Sequence, residues 1–273
     1  MSFVTNADTY LEEIITHLKS KNIKLSKKTS DGRTNSAINE NEIIKTITKL
    51  NSQNKSYYIL DAITRDWADL YLISKNSQQE YKELEKRAFE YKQTKSTEKS
   101  KKNRLKKEWN NILKNLNQKK HLIPVNIKIT ETLSNDNINA KEGLYFSLTG
   151  EIYTGSNNWN SFLRKLKENL PSNEPEVDYY FLIVNKNNTQ DIFYNSLRRI
   201  NSFVPNGNNP PFQVKWCENK IPQKTDFKTA KEKILKTLEE TLYQRALPWF
   251  AFQKNFPEFI AKRAIEISNK GTN

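Results

Sequence analysis

The chain has 273 residues and a formal net charge of +14, with 45 Lys and Arg against 31 Asp and Glu. That length is enough for a domain with a sizeable core, and the excess of cations favours a polyanionic partner, of which nucleic acid is the most general. A single cysteine, Cys217, excludes an internal disulfide framework and a thiolate zinc cluster; two histidines exclude a multi-histidine metal site; six scattered glycines exclude a P-loop or dinucleotide fingerprint.

The first helix is expected from about Ala7 to Lys21, with Leu11, Ile14, Ile15 and Leu18 on one face and Asn6 as its N-cap. A polar segment, 26–35, leads to a second helix over about 36–50, whose buried side is marked by Ile43, Ile47 and Leu50. Glu40 and Glu42 lie in its first turns on different faces. Both suit the positive end of the helix dipole, and Glu42 is favoured as a carboxylate reaching toward a metal. Strands are expected at 57–63 and 70–73, separated by Thr64-Arg65-Asp66-Trp67-Ala68-Asp69.

Between 75 and 120 the composition turns sharply polar. Tyr81, Leu84, Ala88 and Tyr91 follow helical spacing, as do Leu105, Trp109, Ile112 and Leu116, which predicts an inserted helical hairpin over about 76–120. Lys99, Lys101, Lys102, Arg104, Lys106 and Lys107 give it a basic tip, which is either a solvated face or a clamp on nucleic-acid backbone.

The strand HLIPVNIKIT, 121–130, alternates. Val125, Ile127 and Ile129 point into a core while Asn126 and Lys128 project together from the other face. A lysine in a buried strand needs a partner or a cleft, and Asp69 is the expected partner. Beyond it, the pattern predicts an extended piece at 143–148, a helix over 157–170, a central strand at 178–186 and a helix over 190–203 that leaves Arg198 and Arg199 free. A loop and strand at 205–216 follow, then helices over about 226–247 and 257–269. The aromatic segment 249–252 between those helices reads as core or a subunit interface. No secretory segment opens the chain and no apolar run is long enough to span a bilayer, so a cytoplasmic protein is expected, and the heavy use of Lys, Asn and Ile points to an AT-rich bacterial genome.

The order from the second helix onward, helix–strand–strand–strand–helix–strand, is mixed α/β. Asp69 at the head of one strand, followed on a later strand by Ile127 flanked by Asn126 and Lys128, resembles the PD-(D/E)XK nuclease motif, and more narrowly the type II restriction endonucleases. Asn126 stands where that family usually has Asp or Glu. The resemblance spans roughly 31–216. It implies a single nuclease domain over 1–273: a restriction-endonuclease-like core with a central mixed β-sheet flanked by helices, an inserted basic hairpin and C-terminal helices over about 225–270.

It further implies Mg²⁺-dependent, sequence-specific hydrolysis of double-stranded DNA. Asp69, Asn126 and the Ile127 carbonyl would be oxygen ligands for the metal, Lys128 would neutralise phosphate charge, and Glu42 would act through water. Asp61 and Asp66 are rivals of Asp69 for the ligand position. Base-reading candidates are Arg33, Asn35, Asn157, Asn158, Asn206, Asn208 and Asn209, because Asn suits adenine and Arg guanine; the alternative for each is a turn residue. Arg198 and Arg199 join them as DNA-contacting candidates. A homodimer and a cognate DNA methyltransferase are the partners such an enzyme implies. A catalytically silent DNA-binding protein and a structure-specific repair nuclease are the alternatives.

Overall fold

The computed structural model describes residues 2–26, 32–131, 133–138, 141–156 and 158–259, with the side chains of 32–36 left aside. Helix α1, Ala7–Ser20, buries Leu11, Ile14 and Leu18, and α2, Gly32–Thr48, buries Ile43, Ile44 and Ile47. Strands β1, Tyr57–Asp61, and β2, Leu70–Ser74, pair antiparallel. The helical hairpin follows as α3, Gln78–Gln93, and α4, Lys99–Gln118, the latter burying Leu105, Trp109, Leu113 and Leu116. Strand β3, Leu122–Thr130, then pairs antiparallel with β2 in a register that sets Leu70 opposite Val125.

A short strand β4, Asn135–Ile138, precedes the helices α5, Lys141–Thr149, and α6, Trp159–Asn169. These helices are the crossover that a parallel pair requires. They carry the chain to β5, Tyr180–Asn185, which lies parallel to β3 with Lys128 opposite Ile183. Strand β6, Ile192–Ser196, completes a five-stranded mixed sheet in the order β1-β2-β3-β5-β6. Strand β7, Phe212–Lys215, pairs with β4 in a separate two-stranded sheet, and α7, Phe227–Asn255, follows it. Among the described residues, no helix is long and apolar enough to cross a membrane.

Three local expectations change. The 190–203 segment is not a helix. Ile192, Phe193 and Tyr194 are β-formers, and the turn before them returns the chain beside β5, closed by the Asn185 N–H donating to the Asp191 carbonyl at 3.1 Å. The 143–148 run is helical instead of extended; with Leu144, Tyr145, Phe146 and Leu148 all buried, it carries no polar face for periodicity to reveal. Gly143 is required there, since a Cβ at that position would lie 2.6 Å from the Tyr179 ring. Finally, 249–252 belongs to α7, and Trp249, Phe250 and Phe252 are exposed instead of forming core; most of the expected 257–269 helix lies outside the described residues.

Candidate active site

Asp69 sits one residue before β2, where the Asp69 N–H donates to the Val125 carbonyl at 3.1 Å. Its side chain reaches along β3, and Oδ2 accepts the Ile127 N–H at 2.6 Å. Sheet pairing alone thus brings together two residues 58 positions apart. Burial pushes the Asp69 carboxyl above the ordinary range, against the opposing pull of the Ile127 N–H and the Lys128 charge.

Alternation along β3 is as expected: Val125 and Ile127 are buried, while Asn126 and Lys128 line a cleft of about 860 Å³. Its floor also includes Trp67, Tyr179 and Phe181, and one wall is the polar face of α4. Glu142, Tyr153, Thr154 and Gly155 also line it. The direct partners of Lys128 differ from expectation. Its Nζ donates to the Asn137 carbonyl at 2.9 Å and lies 3.9 Å from an Asp136 carboxylate oxygen, so β4 supplies the contacts while Asp69 acts only through its charge. Asp136 is itself held by the Trp216 Nε1–H at 3.0 Å.

Beside this cleft, and sharing Arg65 and Asp66 with it, lies a smaller one of about 300 Å³ lined by Glu40, Asp61 and Asp69 among others. The carboxylate that α2 brings to Asp69 is Glu40 and not Glu42. Two positions along a helix turn a side chain by more than half a revolution, and Glu42 is exposed. Burial, then the negative charges of Asp69 and Asp61, push Glu40 up to about 7, with Lys128 opposing.

The rivals of Asp69 are otherwise engaged. Asp66 Oδ2 accepts from the Tyr71 hydroxyl at 2.8 Å and from Trp109 Nε1–H at 2.7 Å, and Asp61 pairs with Lys92 at 2.5 Å. Among the described residues, no three His, Cys, Asp or Glu side chains gather as a metal cage. Two neighbouring carboxylates, Asp69 and Glu40, are nonetheless hard oxygen donors of the kind Mg²⁺ takes, since that ion keeps several of its waters; Asn126, across from Asp69 in the strand register, lines the larger cleft. Burial is the larger cause of the upward displacement of Glu40, and the charges of Asp69 and Asp61, which a cation would offset, are the smaller one. The donors fit the ion.

The nucleic-acid candidates fare unevenly. Lys101, Lys102 and Arg104 stand at the start of α4, away from the cleft; Lys101 and Arg104 lie within ion-pair range of Glu98 and Glu108, and Lys102 lies over the Tyr91 ring. Arg198 is buried, donating to the Pro175 and Val177 carbonyls at 2.9 and 3.0 Å and pairing with Asp178 at 3.3 Å. Arg199 makes a two-pronged contact with Asp8 at 2.8 and 2.6 Å. Both are therefore internal braces instead of free cations, because the helix expected to present them is a strand and a tight turn. Asn158 caps α6, accepting the Ser161 N–H at 2.8 Å, and Asn206 accepts the N–H groups of Asn208 and Asn209, as turn residues do. Arg33 and Asn35 fall on α2 with side chains outside the described residues, and Asn157 lies outside them altogether.

Sequence reading weighed Glu40 but favoured Glu42, and it placed Lys106 and Lys107 in the basic run of the hairpin without joining them to Asn103, Asn110, Asn111 and Lys114 as a cleft-facing stripe of α4. The signal for the stripe was present. These residues recur at steps of three and four, out of phase with Leu105, Trp109 and Leu116. In comparisons with known proteins, no family model, no curated protein and no solved structure matches the chain.

Proposed function

We propose that this chain is a type II restriction endonuclease with the PD-(D/E)XK arrangement, hydrolysing phosphodiester bonds of double-stranded DNA at specific sequences with Mg²⁺. The observation that carries the reading is the 2.6 Å contact from the Ile127 N–H to Asp69, which fixes an aspartate beside the strand bearing Asn126 and Lys128. The path α2-β1-β2-β3, crossover, β5, with β3 and β5 parallel, supports it as the core such an enzyme is expected to have.

Asp69, Glu40, the Asn126 amide oxygen and the Ile127 carbonyl are the groups that would hold Mg²⁺. When bound, the ion supplies Lewis-acid polarisation of the phosphate and a more acidic water. The chain itself does the rest. Lys128, steadied by the Asn137 carbonyl, presents a cation on the cleft floor where negative charge develops on phosphoryl oxygens. Glu40, raised to about 7 in the metal-free chain, would give up its proton on taking the ion. The chain would act as a homodimer on symmetric sites in a bacterial cytoplasm, alongside a cognate methyltransferase.

A second reading, a DNA-binding protein without catalysis, is favoured by one observation: Asn126 supplies an amide where a third negative ligand would sit. Incubation with unmethylated phage DNA and Mg²⁺ decides between them. Discrete fragments support the endonuclease. Retarded but intact DNA supports the silent binder, and nicks or smears support a structure-specific repair nuclease.

A further inference from the structure

Helix α4 runs 20 residues, about 30 Å, along the cleft whose floor holds Asn126 and Lys128. Its inner stripe is locked into the protein: Leu105, Trp109, Leu113 and Leu116 are buried, and Trp109 is fastened to Asp66. Lys106 adds a bond from its Nζ to the Arg65 carbonyl at 3.1 Å. The other stripe faces the cleft with nothing to do. The side chains of Asn103, Lys107, Asn110, Asn111 and Lys114 make no hydrogen bond or ion pair among the described residues.

Two features set this stripe apart from an ordinary solvated face. Asparagine is a poor helix former, because its amide competes for the backbone, so three on one face weaken the helix without return unless they bind something. The one carboxylate of α4, Glu108, does not line the cleft and is engaged by Arg87 at 3.0 Å and Arg104 at 3.8 Å. The helix thus offers the cleft only amides and cations. An Asn amide matches the N6 donor and N7 acceptor of adenine in a major groove, and lysines match phosphates. An α-helix enters the major groove of B-form DNA, whereas that of an A-form RNA duplex is too narrow.

We infer that α4 is the sequence-reading element of this protein, its cleft-facing asparagines contacting adenine edges of duplex DNA and Lys107 and Lys114 holding phosphates of the same duplex. The inference rests on the endonuclease reading for its choice of DNA as the polyanion.

The test measures binding without cleavage. Full-length protein selects from a pool of randomised 30-base-pair duplexes in Ca²⁺ buffer, and fluorescence anisotropy then measures affinity for the selected and scrambled duplexes across a salt series. Asn110→Ala with Asn111→Ala, which raises helix propensity, should reduce discrimination between the two duplexes about tenfold or more and leave scrambled-duplex affinity unchanged. Lys107→Gln with Lys114→Gln should weaken binding to both and reduce the salt slope by about 1.8. An unchanged selected motif and discrimination in the asparagine variant overturns the inference, as does an unchanged salt slope in the lysine variant. So does a wild type that binds no duplex DNA, or prefers RNA. If wild type reads DNA through α4 but never cuts it with Mg²⁺, the inference stands and the endonuclease reading falls.

Discussion

Asp69 and Ile127, 58 residues apart, are joined by a 2.6 Å hydrogen bond from a strand N–H to a buried carboxylate. The bond compensates only part of the desolvation cost of that carboxylate, since burial still holds its pKa above the usual range. Glu40 beside it is raised as well, and two such carboxylates together are the pattern that picks out candidate functional sites.

Asp69→Ala should therefore abolish Mg²⁺-dependent DNA cleavage, by more than about a hundredfold, beyond what loss of an outer partner does. Duplex binding measured by gel retardation should survive. Cleavage at wild-type rate would remove Asp69 from the site.

Glu40 gives a pH signature. Its folded-state pKa, about 7, exceeds the ordinary carboxyl value, so it takes up a proton on folding. Its contribution favours the folded state at low pH and is lost as pH rises through about 7. Glu40→Gln should consequently stabilise the metal-free protein at pH 8, by about 1–2 kcal/mol after allowance for solvent screening, and have little effect near pH 4. Urea denaturation at the two pH values measures this; equal effects at both would contradict the assigned titration.

Asn126→Asp adds a negative charge on β3 across from Asp69, given the register that pairs Leu70 with Val125. Without metal the variant should melt below wild type, and with Mg²⁺ it should gain more in melting temperature, since a ligand stabilises in proportion to its occupancy. A thermal-shift titration should show half-saturation at roughly tenfold lower Mg²⁺ than wild type, about 1.4 kcal/mol of binding free energy. Identical titration curves would place Asn126 outside the metal's reach.

Asp66 serves architecture. Asp66→Ala leaves the Tyr71 hydroxyl and Trp109 Nε1–H, both on buried rings, without their acceptor. Each lost acceptor costs about 1–3 kcal/mol. The urea midpoint should fall accordingly with an unchanged slope, and the same loss should not appear in Asp61→Ala, whose Lys92 pair is largely exposed.

Much of this was legible from the chain. The alternation of Val125, Asn126, Ile127 and Lys128 predicted which side chains would line a cleft, because strand periodicity is set by covalent geometry. The hairpin over 78–118 was legible because its buried stripes recur at helical spacing. Three things were hidden. Ile192 to Ser196 became a strand through pairing with β5, a tertiary gain that local spacing does not carry. Arg198 became an internal brace because Asp178 and two carbonyls converge on it from before β5. The choice between Glu40 and Glu42 turned on the rotation of α2 over the sheet, which packing fixes and composition does not.

The α3–α4 hairpin also bears on how the chain folds. Strands β2 and β3 are neighbours in the sheet yet almost fifty residues apart in sequence, and a flexible connection of that length would make their pairing a slow search. Two helices that fold back on each other bring the ends together at a pinned neck, where the Ser74 N–H donates to the His121 carbonyl at 3.1 Å and Ser77 Oγ meets His121 Nδ1 at 2.8 Å. Contacts of short sequence range thus shorten the effective separation of the two strands in the native topology.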